Sequence, residues 1–312
     1  MPRIIGGKYM NEASKVFQEG DDFWQAGSYD EAKEKYRLSA QIYEEKQDIE
    51  GEAFAFSRLG ELELSLGNFE TAEKALLAAA DLVQYSDYAQ NTYGEALTKL
   101  GKLEAEKGNT AKALDYFRQA KEVLNSIDNK NLLGDVYDQT GYVYLLEGKD
   151  KEALKAYMMA VKLYGADGVS LKEASVLRAI ARIQMKNHSY DEAHDVLEKC
   201  RDLYRENGDL LGEASALSAI GCLRYIIKDI ENARKALMKA VYLYGKATHH
   251  YAEAEALLYL ARVEAIDRER GDFERAKAHY KRAIELFDFL GNDVMKKSVL
   301  EEYNNFLNRC LG

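Results

Sequence analysis

The side chains best equipped for chemistry in this 312-residue chain are five histidines, three cysteines and a short run of cations. A helical zinc site needs paired ligands at close spacing, commonly two histidines four apart with a glutamate beside the first. His188, His194, His249, His250 and His279 offer no such pair, and Cys200, Cys222 and Cys310 are too far apart in sequence to act as one. The chain has no Gly-rich phosphate loop, no Gly-x-Ser-x-Gly elbow and no nucleophile placed beside a base. The residue pattern therefore predicts no enzyme, no metal and no cofactor. The thiols read as unpaired, buried small residues, which suits a reducing compartment.

The cations are more informative. Arg178, Arg182 and Lys186 recur every fourth residue, so on a helix they form one stripe. Such a stripe can hold carboxylates through charge-assisted hydrogen bonds. The same spacing also fits an ordinary solvated face balanced by acids such as Asp138 and Glu173, and residue types leave both readings open. The whole chain carries 53 acidic and 43 basic residues, a net charge of -10. That balance argues against general nucleic-acid binding, which requires clustered Lys and Arg to neutralise phosphates.

The elements that carry these residues follow from a repeat. Ala32, Ala72, Ala113, Ala153, Ala193, Ala233 and Ala276 recur at steps of 40, 41, 40, 40, 40 and 43 residues. Four residues later stand Tyr36, Leu76, Phe117, Tyr157, Leu197, Leu237 and Tyr280. Seven later come the small residues Ser39, Ala79, Ala120, Ala160, Cys200, Ala240 and Ala283, and eleven later a large residue, Tyr43, Tyr164, Tyr204 and Tyr244 among them. Spacings of 4, 7 and 11 share a helical face. Twelve residues before the alanine lie Gly20, Gly60, Gly101, Gly141, Ala181 and Gly221. A recurrent glycine inside a helix points to close contact with another helix.

Between the two helices, Gly27, Gly67, Gly108, Gly148 and Gly271 mark a turn, and Ser28, Asn68, Asn109 and Asp272 follow four of them where they can cap the second helix. His188 and Lys228 replace the glycine in two repeats, where the turn is expected to be accommodated without a break in the stack and the hinge angle is left open. With 47% hydrophobic residues and one proline, at Pro2, the chain is expected to be all-helical.

Small residue, alanine and small residue in this register, with turns such as Gly27-Ser28-Tyr29 and Gly67-Asn68-Phe69, resemble the tetratricopeptide repeat. The unit is about six residues longer than the ordinary 34-residue repeat. It is similar to the longer variety found in the spindle-adaptor family named for its Leu-Gly-Asn repeats and in kinesin light chains. The resemblance implies an all-α, right-handed superhelical solenoid of seven hairpins, covering residues 9–47, 48–87, 88–128, 129–168, 169–208, 209–248 and 249–291. A disordered stretch over residues 1–8 and a C-terminal capping helix over residues 292–312 complete the expected organisation. Val299, Tyr303, Phe306, Leu307 and Cys310 form the apolar face of that last helix.

The resemblance further implies that function sits on an inner face lined by the first helix of each hairpin. Counting along the register, that face holds Lys102, Asp138, Tyr142, Arg178, Arg182, Lys186, Tyr225 and Arg262. Arg with Tyr is the combination enriched at binding hot spots, and a basic groove suits an acidic partner peptide or helix. The Lys and Asn of the chaperone-binding clamp fall at Phe17 and Asp21, so a chaperone co-factor role is not expected. Trp24 fits either a groove anchor or the first hairpin's core. The chain thus reads as a non-enzymatic scaffold or adaptor. The alternative is a regulatory sensor that binds a small peptide or effector and changes superhelix conformation. No stretch is long and apolar enough to span a bilayer, which predicts a cytoplasmic protein without a membrane partner. Oligomeric state is left open by the sequence, with the monomer favoured.

Overall fold

The computed structural model describes residues 12–266 and 273–311, with side chains placed as far as residue 308. The expected disordered stretch 1–8, the turn residues Gly271 and Asp272, and the side chain of Cys310 lie outside the described residues. The fold is all-α, and the described residues form fifteen helices and no strand.

The helices fall into two compact units, residues 1–167 and 168–312. The first holds α1 (Glu12–Gln25), α2 (Tyr29–Glu45), α3 (Ile49–Ser65), α4 (Phe69–Val83), α5 (Gln90–Glu106), α6 (Thr110–Ser126), α7 (Lys130–Leu146) and α8 (Asp150–Asp167). The second holds α9 (Ser170–Lys186), α10 (Tyr190–Glu206), α11 (Leu210–Ile226), α12 (Ile230–Lys246), α13 (His250–Ile266), α14 (Phe273–Phe289) and α15 (Asp293–Leu311). Successive helices pack as antiparallel hairpins, α1 with α2, α3 with α4 and so on to α13 with α14.

The small residues of the register are where these hairpins close. All seven reference alanines are fully buried, as are Ser39, Ala79, Ala120, Ala160, Cys200, Ala240 and Ala283. A Cβ added at Gly60 would lie 2.6 Å from the Leu76 side chain, and one at Gly141 would lie 2.7 Å from the Tyr157 ring. The large residue four after each alanine thus fills the space left by the glycine twelve before it, so the two series are complementary halves of one contact. Tyr164, Tyr204 and Tyr244 are buried, while Tyr43 is half-buried with its hydroxyl 3.0 Å from Ser14 Oγ.

The six described turns within hairpins keep one backbone form. Gly27, Gly67, Gly108 and Gly148 have φ of 79°, 75°, 82° and 72°, and His188 and Lys228 take the same left-handed conformation at 62° and 66°. The turn geometry is retained at both substituted positions, where a side chain is forced into a region that favours glycine. The caps differ from expectation. Ser28, Asn68 and Asn109 occupy the N-cap position but make no side-chain cap bond. Asn68 and Asn109 instead donate from Nδ2, at 2.8 Å each, to Glu63 and Glu104, whose carboxylates are buried and need partners. Capping bonds form from Asp48, Asn129, Asp209 and Asp229 to backbone N–H groups.

At the end of the second unit, Val299, Tyr303 and Phe306 of α15 are buried in one cluster with Tyr280 and Phe287 of α14. Phe306 stacks on Phe273, with ring centroids 5.2 Å apart.

Candidate binding surface

The buried side of α9 is built from Ala174, Val176, Leu177, Ile180, Ala181 and Ile183. The opposite side exposes Leu171, Ser175, Arg178, Arg182 and Lys186, so the predicted stripe is a real surface of the second unit. Glu173, the acid that could have balanced it from the same helix, is buried and accepts from Lys199 Nζ of α10 at 2.6 Å. Arg178 donates to the Ser215 hydroxyl of α11 at 2.8 Å, a neutral partner that leaves its charge uncompensated. Arg182 is exposed and has no ion pair to any described residue.

The surface continues over α11 and α13. Tyr225 is half-buried, packs against Ala233 and Leu237, and carries the Lys228 ammonium 5.7 Å from its ring centroid. Cys222 lies beside it on α11, its thiol pushed up to about 12 by burial, with Tyr259 and Arg262 of α13 nearby. The Cys200 thiol, pushed up to about 11 by burial, sits in the packing position and faces the Ala174 carbonyl at 3.2 Å. Neither thiol is a poised nucleophile.

Arg262 departs from the expectation that it adds a free cation. Its guanidinium is bidentate to Glu302 of α15 at 2.8 and 2.7 Å, and Tyr280 donates to the same carboxylate at 2.9 Å. This pair joins α13 to α15. The partner lies 40 residues away in sequence, so no local pattern could have assigned it.

Lys102, Asp138 and Tyr142 belong to the first unit: Lys102 is exposed, and Asp138 and Tyr142 are half-buried. Lys102 stands at the register position of Arg182, while two neighbouring cations of these first helices are held by acids. Arg58 pairs with Asp21 at 2.7 Å and Glu61 at 2.9 Å, and Lys99 pairs with Glu61 at 3.0 Å and Glu95 at 2.9 Å. Asp21 also accepts from Tyr36, and Phe17 stacks on Phe54, so both residues at the chaperone-clamp positions serve packing. Trp24 packs into the first unit's core beside Ala32 and Tyr36, with the Arg58 guanidinium 4.6 Å over its ring.

Among the described residues, no group of three or more His, Cys, Asp or Glu converges into a metal site. No described helix is long and apolar enough to cross a membrane.

Helical hairpins closed by small residues in this register define a tetratricopeptide-type repeat protein. Residues 92–166 match the tetratricopeptide repeat model, and residues 133–311, more than half of the chain, match the soluble NSF attachment protein (SNAP) model. The chain belongs to this SNAP-like family of tetratricopeptide-type helical repeat proteins. No curated protein sequence matches it.

Solved structures agree on the fold. BtubC (BKLC) from P. vanneervenii superposes with a TM-score of 0.64 at 18% identity, over 72% of this chain and 91% of that one. A signal transduction ATPase with a tetratricopeptide repeat sensor from Pyrococcus horikoshii gives 0.65 at 18% identity, over 94% of this chain and 47% of that one. Kinesin light chain-like repeats from Podosopora anserina give 0.52 at 13% identity, over 63% and 95%. Repeat families of this kind generally mediate protein–protein interaction and are generally non-catalytic.

Proposed function

We propose that this chain is a non-enzymatic adaptor that takes an acidic peptide or helix of a partner protein along the exposed face of its second unit. The observation that carries the reading is the stripe of Arg178, Arg182 and Lys186 on α9, where Glu173 is spent on Lys199 and Arg178 meets only a hydroxyl. An acidic segment would supply carboxylates to Arg178 and Arg182, and the half-buried Tyr225 adds an aromatic contact on α11. The family name, which describes attachment of one protein to another, is consistent with an adaptor. Binding rests on the second unit, and Lys102, Asp138 and Tyr142 of the first are not required for it. Free thiols at Cys200 and Cys222 suit a cytoplasmic setting.

The double variant Arg178→Glu/Arg182→Glu tests this. Both side chains are exposed, so circular dichroism should be unchanged while capture of the principal protein partner is lost. Retention of that partner by a folded double variant would refute the basic-stripe reading. Retention together with a peptide-dependent change in small-angle scattering would favour the sensor.

A further inference from the structure

Nine residues before the reference alanine, with three more in the last repeat for its longer turn, the register places a first-helix residue that faces the preceding hairpin's second helix. In three repeats this residue is a buried glutamate: Glu63, Glu104 and Glu264 are only 4%, 2% and 3% exposed. Each meets cations. Lys33 of α2 approaches Glu63 at 3.3 Å, Lys107 approaches Glu104 at 3.3 Å, and Arg234 of α12 donates to Glu264 at 3.0 Å. The groove between successive second helices is therefore built around a carboxylate in these repeats.

In α11 the same position is Arg224. Its partners are altered to match: where Glu63 and Glu104 face Asn68 and Asn109, Arg224 faces Asp229 at 3.3 Å, and it donates to His194 Nε2 of α10 at 2.7 Å. His194 occupies the place that Lys33 and Arg234 hold in their grooves. An arginine that donates into an imidazole has not found its best acceptor, since imidazole carries no charge while it accepts.

The result is a cavity of about 350 Å³ between α10 and α12, floored by α11, into which Arg201, Arg205, Arg224, Lys235 and Lys239 converge with His194. Glu198 is its one acidic lining residue among those described. The cations pair mostly with acids outside the lining: Arg205 with Asp202 at 3.0 Å, Lys235 with Glu231 at 3.2 Å and Lys239 with Glu213 at 2.7 Å. Arg201 is held between Glu198 and Asp202. The basic ends are thus pre-positioned by acids at the rim, and the space they surround has the size of a small-ligand site. Each of the five cations has an acidic partner, so the local charge is close to balanced, and what sets this groove apart is the convergence of the basic ends on one cavity.

We propose that this groove binds a phosphate group, which takes the position given to a carboxylate in three of the equivalent grooves. Arg224, held by Asp229 and His194, and Arg201, held by Glu198 and Asp202, would exchange some of these acceptors for phosphate oxygens, and Lys235 and Lys239 supply charge from the opposite helix. The site lies between second helices and involves none of Arg178, Arg182 or Lys186, so it stands apart from the partner surface.

Isothermal titration calorimetry of the full chain with inositol hexakisphosphate, and co-flotation with phosphatidylcholine vesicles carrying phosphatidylinositol bisphosphate, separate a soluble phosphate from a lipid headgroup. Arg224→Glu installs the carboxylate found in three other repeats, and Arg224→Gln guards against misfolding of that variant. Saturable binding of either probe, weakened about tenfold or more in both Arg224 variants and retained in Arg182→Glu, is the expected result. Equal binding by wild type and the Arg224 variants, or binding of neither probe by wild type, would overturn the proposal.

Discussion

Ala160 has no exposed surface and stands where α8 meets its neighbours, so its size is fixed by the closeness of the backbones around it. Ala160→Phe should cost about 1–3 kcal/mol through overpacking, visible as a lowered melting temperature with helicity retained. Unchanged thermal stability would mean that the contact is not tight. Contacts of this kind were legible in the sequence because they recur: a glycine twelve before the alanine and a large residue four after it are complementary in every repeat where both occur. Buried charge was not legible in the same way. Glu63, Glu104 and Glu264 look like acids on a solvated face, and only the packed hairpins reveal that they are enclosed and matched by Asn68, Asn109 and Arg234. With that pattern known, the register itself would have marked Arg224 as the exception.

At the scale of the helix, α15 is held to the second unit by apolar packing, by the exposed Lys296–Asp288 pair and by a more buried charged cluster at Glu302. Arg262, through its hydrogen bonds and charge, and Tyr280, through its own hydrogen bond, hold the Glu302 carboxyl below the usual carboxylate range despite partial burial. Because the folded value is depressed, the stabilisation is fully present above the unfolded carboxylate value of about 4.3 and is lost as pH falls through the lower folded value. Glu302→Gln should therefore destabilise by about 1–2 kcal/mol at neutral pH. The difference from wild type should shrink as thermal melts are repeated toward about pH 3. A gap independent of pH would assign the loss to packing. The existence of α15 and its apolar face could be read from Val299, Tyr303 and Phe306. The tie to Arg262 could not, because it joins residues brought together only by the stacking of α13, α14 and α15. The same limit explains why Arg262 was expected as a groove cation.

For the molecule as a whole, the repeat period established the fold class, yet the packing residues say nothing about a partner. The first-helix cations of the two units differ in how they are held. In the first, Arg58 and Lys99 are each held between carboxylates, while Lys102 is exposed. In the second, Arg178 meets a serine and Arg182 meets no described acid. The notion of an adaptor therefore reduces to a claim about one exposed stripe on α9. The most direct test is to place a photocrosslinking amino acid at position 182 and, separately, at the exposed Asp195 of α10, then identify the crosslinked partner segments by mass spectrometry. Crosslinks from position 182 to acid-rich segments of a partner, with few or none from position 195, are the predicted result. Crosslinks dominated by position 195, or segments without acidic residues at position 182, would contradict the claim.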